Sequence, residues 1–283
     1  MKILVFGKTG QVATCLQEQA DVTALGRDKA DLSDPDHCAA IIGVTTADVI
    51  INAAAYTAVD QAETDTDMAE TVNHTAVAAM VKAAADRDIP FLHISTDYVF
   101  PGGGTEPWNT DAKTGPLGVY GATKLRGEQA VVNAGGRYAI LRTSWVFSAH
   151  GNNFVKTMLR LGKDRDALTI VGDQIGGPTA AADIAATLLE MARGIVEGDR
   201  PSGTYHYSGK PDCSWADFAT EIFKQANITC DVTPIPTKDY PTPATRPLNS
   251  RLNCATLQRD FGIRRPDWRE SLSTVLKDLG ELS

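Results

Sequence analysis

Tyr120 and Lys124 stand four positions apart in Tyr120-Gly121-Ala122-Thr123-Lys124, a spacing that puts both side chains on one face of a helix. A phenol is a poor proton donor or acceptor near neutrality, because its ordinary pKa is about 10. A neighbouring ammonium favours the phenolate and lowers that value, and a lysine there can also reach a cofactor ribose. Taken alone, such a pair is equally at home on a solvated helix face. Thr96 changes the balance. It lies in His93-Ile94-Ser95-Thr96-Asp97-Tyr98-Val99-Phe100, running off the carboxyl end of an expected strand, where open α/β sheets bind their ligands. Its hydroxyl can hydrogen-bond a carbonyl oxygen, so Thr96, Tyr120 and Lys124 form a catalytic set for protonating an oxygen as hydride reaches the carbon.

Hydride chemistry needs a place for a dinucleotide. Gly7-Lys8-Thr9-Gly10-Gln11-Val12-Ala13 sits between the first expected strand and the first expected helix. Glycine there allows a tight turn and close approach of a pyrophosphate, and the helix N-terminus adds partial positive charge. The spacing is Gly-x-x-Gly-x-x-Ala, not Gly-x-Gly-x-x-Gly, and glycines that merely close a βα turn are the alternative. After the second strand, Gly26-Arg27 replaces the acidic residue that would bind a ribose 2′-hydroxyl. An arginine can pair with a 2′-phosphate, so NADPH is expected over NADH; a solvated Arg27 is the competing reading.

The elements that must position these groups alternate along the first half of the chain. Strands are expected at 3–6, 22–25, 49–52, 91–95 and 139–143, with helical stretches between them, 68–85 being the clearest. This βαβ pattern predicts an α/β fold, a Rossmann-type doubly wound parallel sheet. Beyond Ser148 the texture changes, with Gly176-Gly177-Pro178 and a proline-rich 234–247 that cannot be helical. A smaller C-terminal substrate-binding lobe is expected there. Residues 1–148, completed by parts of 165–210, are read as the NAD(P)-binding domain and 149–283 mainly as the lobe. Ser214-Trp215-Ala216-Asp217 reads as a helix start close to a capping box, and an amphipathic helix is expected at 268–279.

With 283 residues, a formal net charge of −8 and a pI near 5.1, the chain lacks the basic footprint of a nucleic-acid binder. No apolar run reaches a membrane span, and the opening segment reads as a strand, not an export signal. The five cysteines are scattered without a Cys-x-x-Cys pair, which disfavours disulfides and zinc and points to the cytoplasm. His93 and His206 read as packed residues, since no second ligand stands at metal spacing, and His74 could face either way. Trp108 and Trp215 read as packing, whereas Trp145 ends a strand at the cleft and can stack on a sugar or base.

The residues then match a known family: the chain resembles the dTDP-4-dehydrorhamnose reductases, extended short-chain dehydrogenase/reductases, over nearly its whole length. The likeness rests on the glycine turn, Asn52-Ala53-Ala54-Ala55-Tyr56-Thr57-Ala58-Val59-Asp60, residues 95–101, Tyr120 to Lys124, Arg142-Thr143-Ser144-Trp145-Val146, Gly151-Asn152-Asn153-Phe154, and Tyr240-Pro241-Thr242-Pro243-Ala244-Thr245-Arg246-Pro247. It implies reduction of the C4 ketone of dTDP-4-dehydro-L-rhamnose, with Tyr120 as proton donor, Lys124 as its partner and Thr96 polarising the oxygen. Asp97 and Trp145 match substrate contacts, and Asn153 and Arg246 are expected to hold the nucleotide half. The cofactor is expected against Gly7, Thr9, Gly10, Gln11 and Val12, then Arg27, Asp31 and Leu32, then Ala53, Ala55, Tyr56 and Thr57, and against Tyr120 and Lys124.

Two positions depart from the pattern. Ala13 stands in place of the usual third glycine, which tightens helix packing without removing a phosphate contact. Cys15 stands where some members carry a glutamate that helps bind magnesium at a dimer contact. No catalytic metal is expected, Mg²⁺ dependence is in doubt, and a monomer or weak homodimer is expected. A dehydratase or epimerase of the same superfamily shares the cofactor turn and the Tyr/Lys pair, but sugar 4,6-dehydratases place a glutamate where this chain has Tyr98. A non-catalytic dinucleotide-binding subunit would not need the complete set of Thr96, Tyr120 and Lys124.

Overall fold

Apolar strands that run unbroken need cover on both faces, and Ile3–Phe6 (β1) and Val49–Asn52 (β3) are buried at every position. In the computed structural model, which describes residues 1–198 and 200–282, these two join Val22–Leu25 (β2), Phe91–Thr96 (β4), Tyr138–Thr143 (β5) and Gly203–His206 (β6) in one six-stranded sheet. Its order is β6-β5-β4-β3-β1-β2, and every neighbouring pair is parallel. The chain steps from β1 to one side for β2 and to the other for β3. The carboxyl ends of β1 and β3 therefore flank the switch point at which doubly wound sheets bind ligands.

Nine helices matter for the site and its support. They are Gln11–Gln19 (α1), Pro35–Val44 (α2), Ala76–Ala85 (α3), Val119–Asn133 (α4), Phe154–Asp164 (α5), Ala181–Val196 (α6), Trp215–Gln225 (α7), Ala255–Phe261 (α8) and Trp268–Asp278 (α9). One sheet face is packed by α1, α6 and α8 through Leu16, Leu188 and Phe261 against Val5, Ile51 and Leu141. On the other face, Ile42 of α2 and Met80 of α3 cover Phe6, Ile50 and Ile140. Each such buried side chain contributes roughly 1.5–3 kcal/mol relative to exposure. A separate core joins α5, α7 and α9 through Met158, Phe218, Trp268 and Leu272. There the capping box at Ser214 is complete, with Ser214 and Asp217 bonding each other's backbone N–H.

Two features of the fold differ from the sequence expectation. The helical stretch 68–85 begins at Thr66 and carries a π-helical turn at Thr71–Thr75, a form frequent at functional sites. Its Asn73 side chain leaves the helix to bond neighbouring segments. β6, which lies outside the five expected strands, arrives after the lobe has begun and pairs with β5.

Candidate active site

The turn after β1 is shaped by two glycines. Gly7 has φ +109°, and a Cβ on it would lie 3.2 Å from the Ala53 carbonyl carbon, so conformation and crowding by the β3 loop both demand glycine. Gly10 is the N-cap of α1, offers no side-chain acceptor, and has open space where a Cβ would be. The first-turn N–H groups of α1 therefore lack side-chain partners at a positively polarised helix end, with no acidic residue in that turn. This cradle suits a pyrophosphate. Gln11 braces it from the lobe side, its Oε1 accepting from Ser148 Oγ at 2.8 Å and Asn153 Nδ2 at 3.0 Å.

The cleft that begins at this turn has a volume of about 670 Å³ and runs to Thr96, Tyr120 and Lys124. Tyr120 and Lys124 project from the first turns of α4, whose start is held by Glu63 Oε1 accepting from Val119 N at 2.9 Å. A Cβ on Gly121 would run into the Tyr98 carbonyl oxygen, and one on Gly127 into that of Asn73. The glycine within the Tyr-x-x-x-Lys stretch thus lets α4 lie against the loop after β4. Asn73 ties α4 to the β3 loop, donating to Thr123 Oγ1 and Tyr56 O at 3.1 Å each and accepting from Tyr56 N at 2.8 Å. The Tyr98 and Tyr120 rings meet edge to face at 5.5 Å.

The charges are set by burial. Desolvation pushes the Tyr120 phenol above its ordinary range, with Asp97 and Tyr98 adding to the effect and the Thr96 hydroxyl offsetting part of it. The expected acidification by Lys124 is not seen. Lys124 Nζ donates instead to Ile94 O at 2.8 Å and lies 3.1 Å from His93 Nε2. Burial brings the Lys124 amine down to about 8, with Glu128 opposing, and His93 is held well below its usual range by burial and by Lys124. Burial likewise raises the Asp97 carboxyl to about 6. Its Oδ1 accepts from Thr96 Oγ1 at 3.2 Å, whereas Oδ2 has no partner of full hydrogen-bond geometry although Ser250 lies nearby.

Most of the expected residues come together. Gly7, Thr9, Gly10, Gln11, Val12, Arg27, Asp31, Leu32, Ala53, Ala55 and Thr57 line the cleft, as do Thr96, Asp97, Tyr120, Lys124 and Trp145. Three do not. Tyr56 is turned to Asp65, donating to its Oδ2 at 3.0 Å. Asn153 caps α5, accepting from Lys156 N at 3.2 Å. Arg246 pairs with Asp60 at 2.6 Å. Trp145 has φ +49° and is stacked on Trp215 at 3.6 Å, so one face of its indole is already covered.

The cleft also holds residues that motif reading passed over. Ser95 Oγ and Thr143 Oγ1 are buried without partners at adjoining strand ends, a signal visible only as hydroxyls at the ends of two expected strands. Lys8 joins Arg27 at the cleft. Among the described residues, one trio of metal-type donors lies close together, Cys15, Glu18 and His150, with donor atoms within 4.8 Å of one another; none of the three lines the cleft.

A model of the RmlD substrate binding domain family matches residues 1–281. A dTDP-4-dehydrorhamnose reductase of Sinorhizobium fredii is 44% identical over 281 residues, covering 96% of this chain and 95% of that one. The crystal structure of dTDP-4-dehydrorhamnose reductase from Bacillus anthracis in complex with NADP superposes with a TM-score of 0.92 at 34% identity, over 98% of this chain and 99% of that one. A dTDP-4-dehydrorhamnose reductase from Clostridium acetobutylicum gives the same TM-score at 37% identity, over 99% and 100%.

Proposed function

The chain belongs to the dTDP-4-dehydrorhamnose reductase family, and from that premise we propose that it is an NADPH-dependent oxidoreductase reducing the C4 ketone of dTDP-4-dehydro-L-rhamnose to dTDP-L-rhamnose. The observation that carries this reading is that Thr96, Tyr120 and Lys124 share one cleft with the Gly7 to Val12 turn. NADPH, when bound, supplies the hydride for the new C4–H bond. The Tyr120 hydroxyl gives its proton to the ketone oxygen, its O–H bond breaking as the sugar O–H forms, and is left as phenolate. Burial keeps the phenol protonated until that moment, and an ammonium at Lys124 stabilises the charge left behind. Thr96 donates to the same oxygen, while Asp97 and Trp145 orient the sugar.

Specificity follows from the surrounding residues. Arg27 lies at the cleft near Asp31, where a guanidinium suits a 2′-phosphate, and NADP is what the Bacillus anthracis relative holds. Tyr98 offers no carboxyl for eliminating water, which favours reduction over dehydration. In this reading residues 1–148, completed by parts of 165–210, hold the dinucleotide and 149–283 mainly the sugar nucleotide. The protein works as a monomer or weak homodimer and without a catalytic metal.

The test supplies chelator-treated protein with dTDP-4-dehydro-L-rhamnose and either NADPH or NADH, follows loss of reduced cofactor, and identifies the sugar by NMR. Keto-sugar-dependent oxidation that yields dTDP-L-rhamnose, with NADPH favoured and no need of added Mg²⁺, is expected. Absence of keto-sugar-dependent oxidation would overturn the function. A strong preference for NADH would remove the role given to Arg27, and recovery only on adding Mg²⁺ would contradict the metal-free reading.

A further inference from the structure

Beneath the cleft, Asn52, His93 and Lys124 form a line of polar groups that are 1%, 0% and 2% exposed. Asn52 of β3 and His93 of β4 are register neighbours, with Asn52 Nδ2 3.2 Å from His93 Nδ1 and Lys124 Nζ 3.1 Å from His93 Nε2. The proton positions follow from a fixed point. Ala54 N donates to Asn52 Oδ1 at 3.2 Å, and a backbone N–H can only donate, so the amide must turn its NH₂ toward His93.

His93 Nδ1 then accepts. A neutral imidazole that accepts there carries its one proton on Nε2, pointing at Lys124. An amine nitrogen can accept that proton with its lone pair, and an ammonium cannot. If Lys124 is an ammonium, one buried contact must set donor against donor, either at His93 or, with the amide turned, at Ala54. Unmatched buried donors are disfavoured.

We propose that His93, its tautomer held by Asn52, is a positioning residue that biases Lys124 toward the amine and lets it become the ammonium when a ligand in the cleft gives the nitrogen a better partner. The identity of that ligand, a reduced dinucleotide, rests on the function proposed above. The lysine takes its proton from solvent. Burial acts in the same direction, lowering Lys124 to about 8 and excluding an imidazolium at His93. The charged group acting on the pair is Glu128, one turn along α4, which Arg142 of β5 binds at 2.6 Å; Tyr120 and Asp97 line the same cleft as Lys124.

The tautomer can be read in the ligand-free protein by ¹⁵N NMR of histidine-labelled material at about pH 9, above the value of about 8 to which burial brings the Lys124 amine. His93 protonated on Nε2 is expected, and a proton on Nδ1 would overturn the proposal. Two variants then test the consequence. His93→Gln offers the ammonium a carbonyl oxygen, and Asn52→Asp accepts from Nδ1–H and frees Nε2 to accept. Since turnover needs the ammonium, kcat/KM falls as pH rises past the lysine, and either folded variant should move that basic limb up by about one pH unit. A slower enzyme with the limb unmoved would reduce His93 to a packing residue and overturn the proposal. Wild-type protein that shows the Nε2–H tautomer but ignores the keto sugar would sink the proposed function and leave this inference standing.

Discussion

Asp97 is buried with one oxygen unpaired, an arrangement that a purely structural carboxyl would avoid. Its ordinary value of 3.8 is raised to about 6. A carboxyl whose folded value is raised binds protons more tightly in the native state, so its stabilising contribution is complete below the unfolded value and is lost as pH rises through about 6. Above that, ionised Asp97 costs on the order of 3 kcal/mol. Asp97→Asn is therefore expected to raise Tm at pH 7.5 and to leave it nearly unchanged near pH 4, while impairing turnover; thermal unfolding at the two pH values checks this. An equal shift at both would mean that the carboxyl is not strained. At this scale the meeting of Tyr120, Lys124 and Thr96 in one cleft was legible, because their spacing and their position after a strand suggested a shared site. Ser95, Thr143 and the tie of His93 to Lys124 were not, since a hydroxyl or an imidazole in an apolar strand looks the same whether it packs or points into a cleft.

The element that carries Tyr120 and Lys124, the residues proposed to move the proton, is α4, and it is seated by what its neighbours leave room for. A methyl group on Gly121 would run into the Tyr98 carbonyl and push α4, with Tyr120 on it, away from Thr96. Gly121→Ala is expected to lose roughly 1–3 kcal/mol of stability through overpacking and to lower kcat more than it raises KM. Urea unfolding with steady-state kinetics tests this, and a variant as stable and as fast as the parent would contradict the seating of the helix. The helix itself was readable from the Tyr-x-x-x-Lys face. Its anchor was not: within the π-helical turn the Asn73 side chain bonds Tyr56 and Thr123, contacts 17 and 50 residues away along the chain. Local propensity carries no trace of partners at that separation.

At the scale of the whole molecule, five of the six sheet strands stood out as short apolar runs between helical stretches. β6 did not, because Gly203-Thr204-Tyr205-His206 is short and half polar and becomes a strand only by lying on β5. The sheet order then brings the glycine turn after β1, the hydroxyl at the end of β4 and the phenol of α4 to one crevice. In the proposed function, that convergence makes a proton transfer to the substrate oxygen available beside the dinucleotide turn. The measurement that tests it most directly is the single-turnover rate of Tyr120→Phe, saturated with NADPH and dTDP-4-dehydro-L-rhamnose, against the parent protein. Removing a positioned general acid should slow the step by about 100-fold or more, with cofactor affinity little changed; a rate close to the parent's would contradict the assignment of the proton to Tyr120.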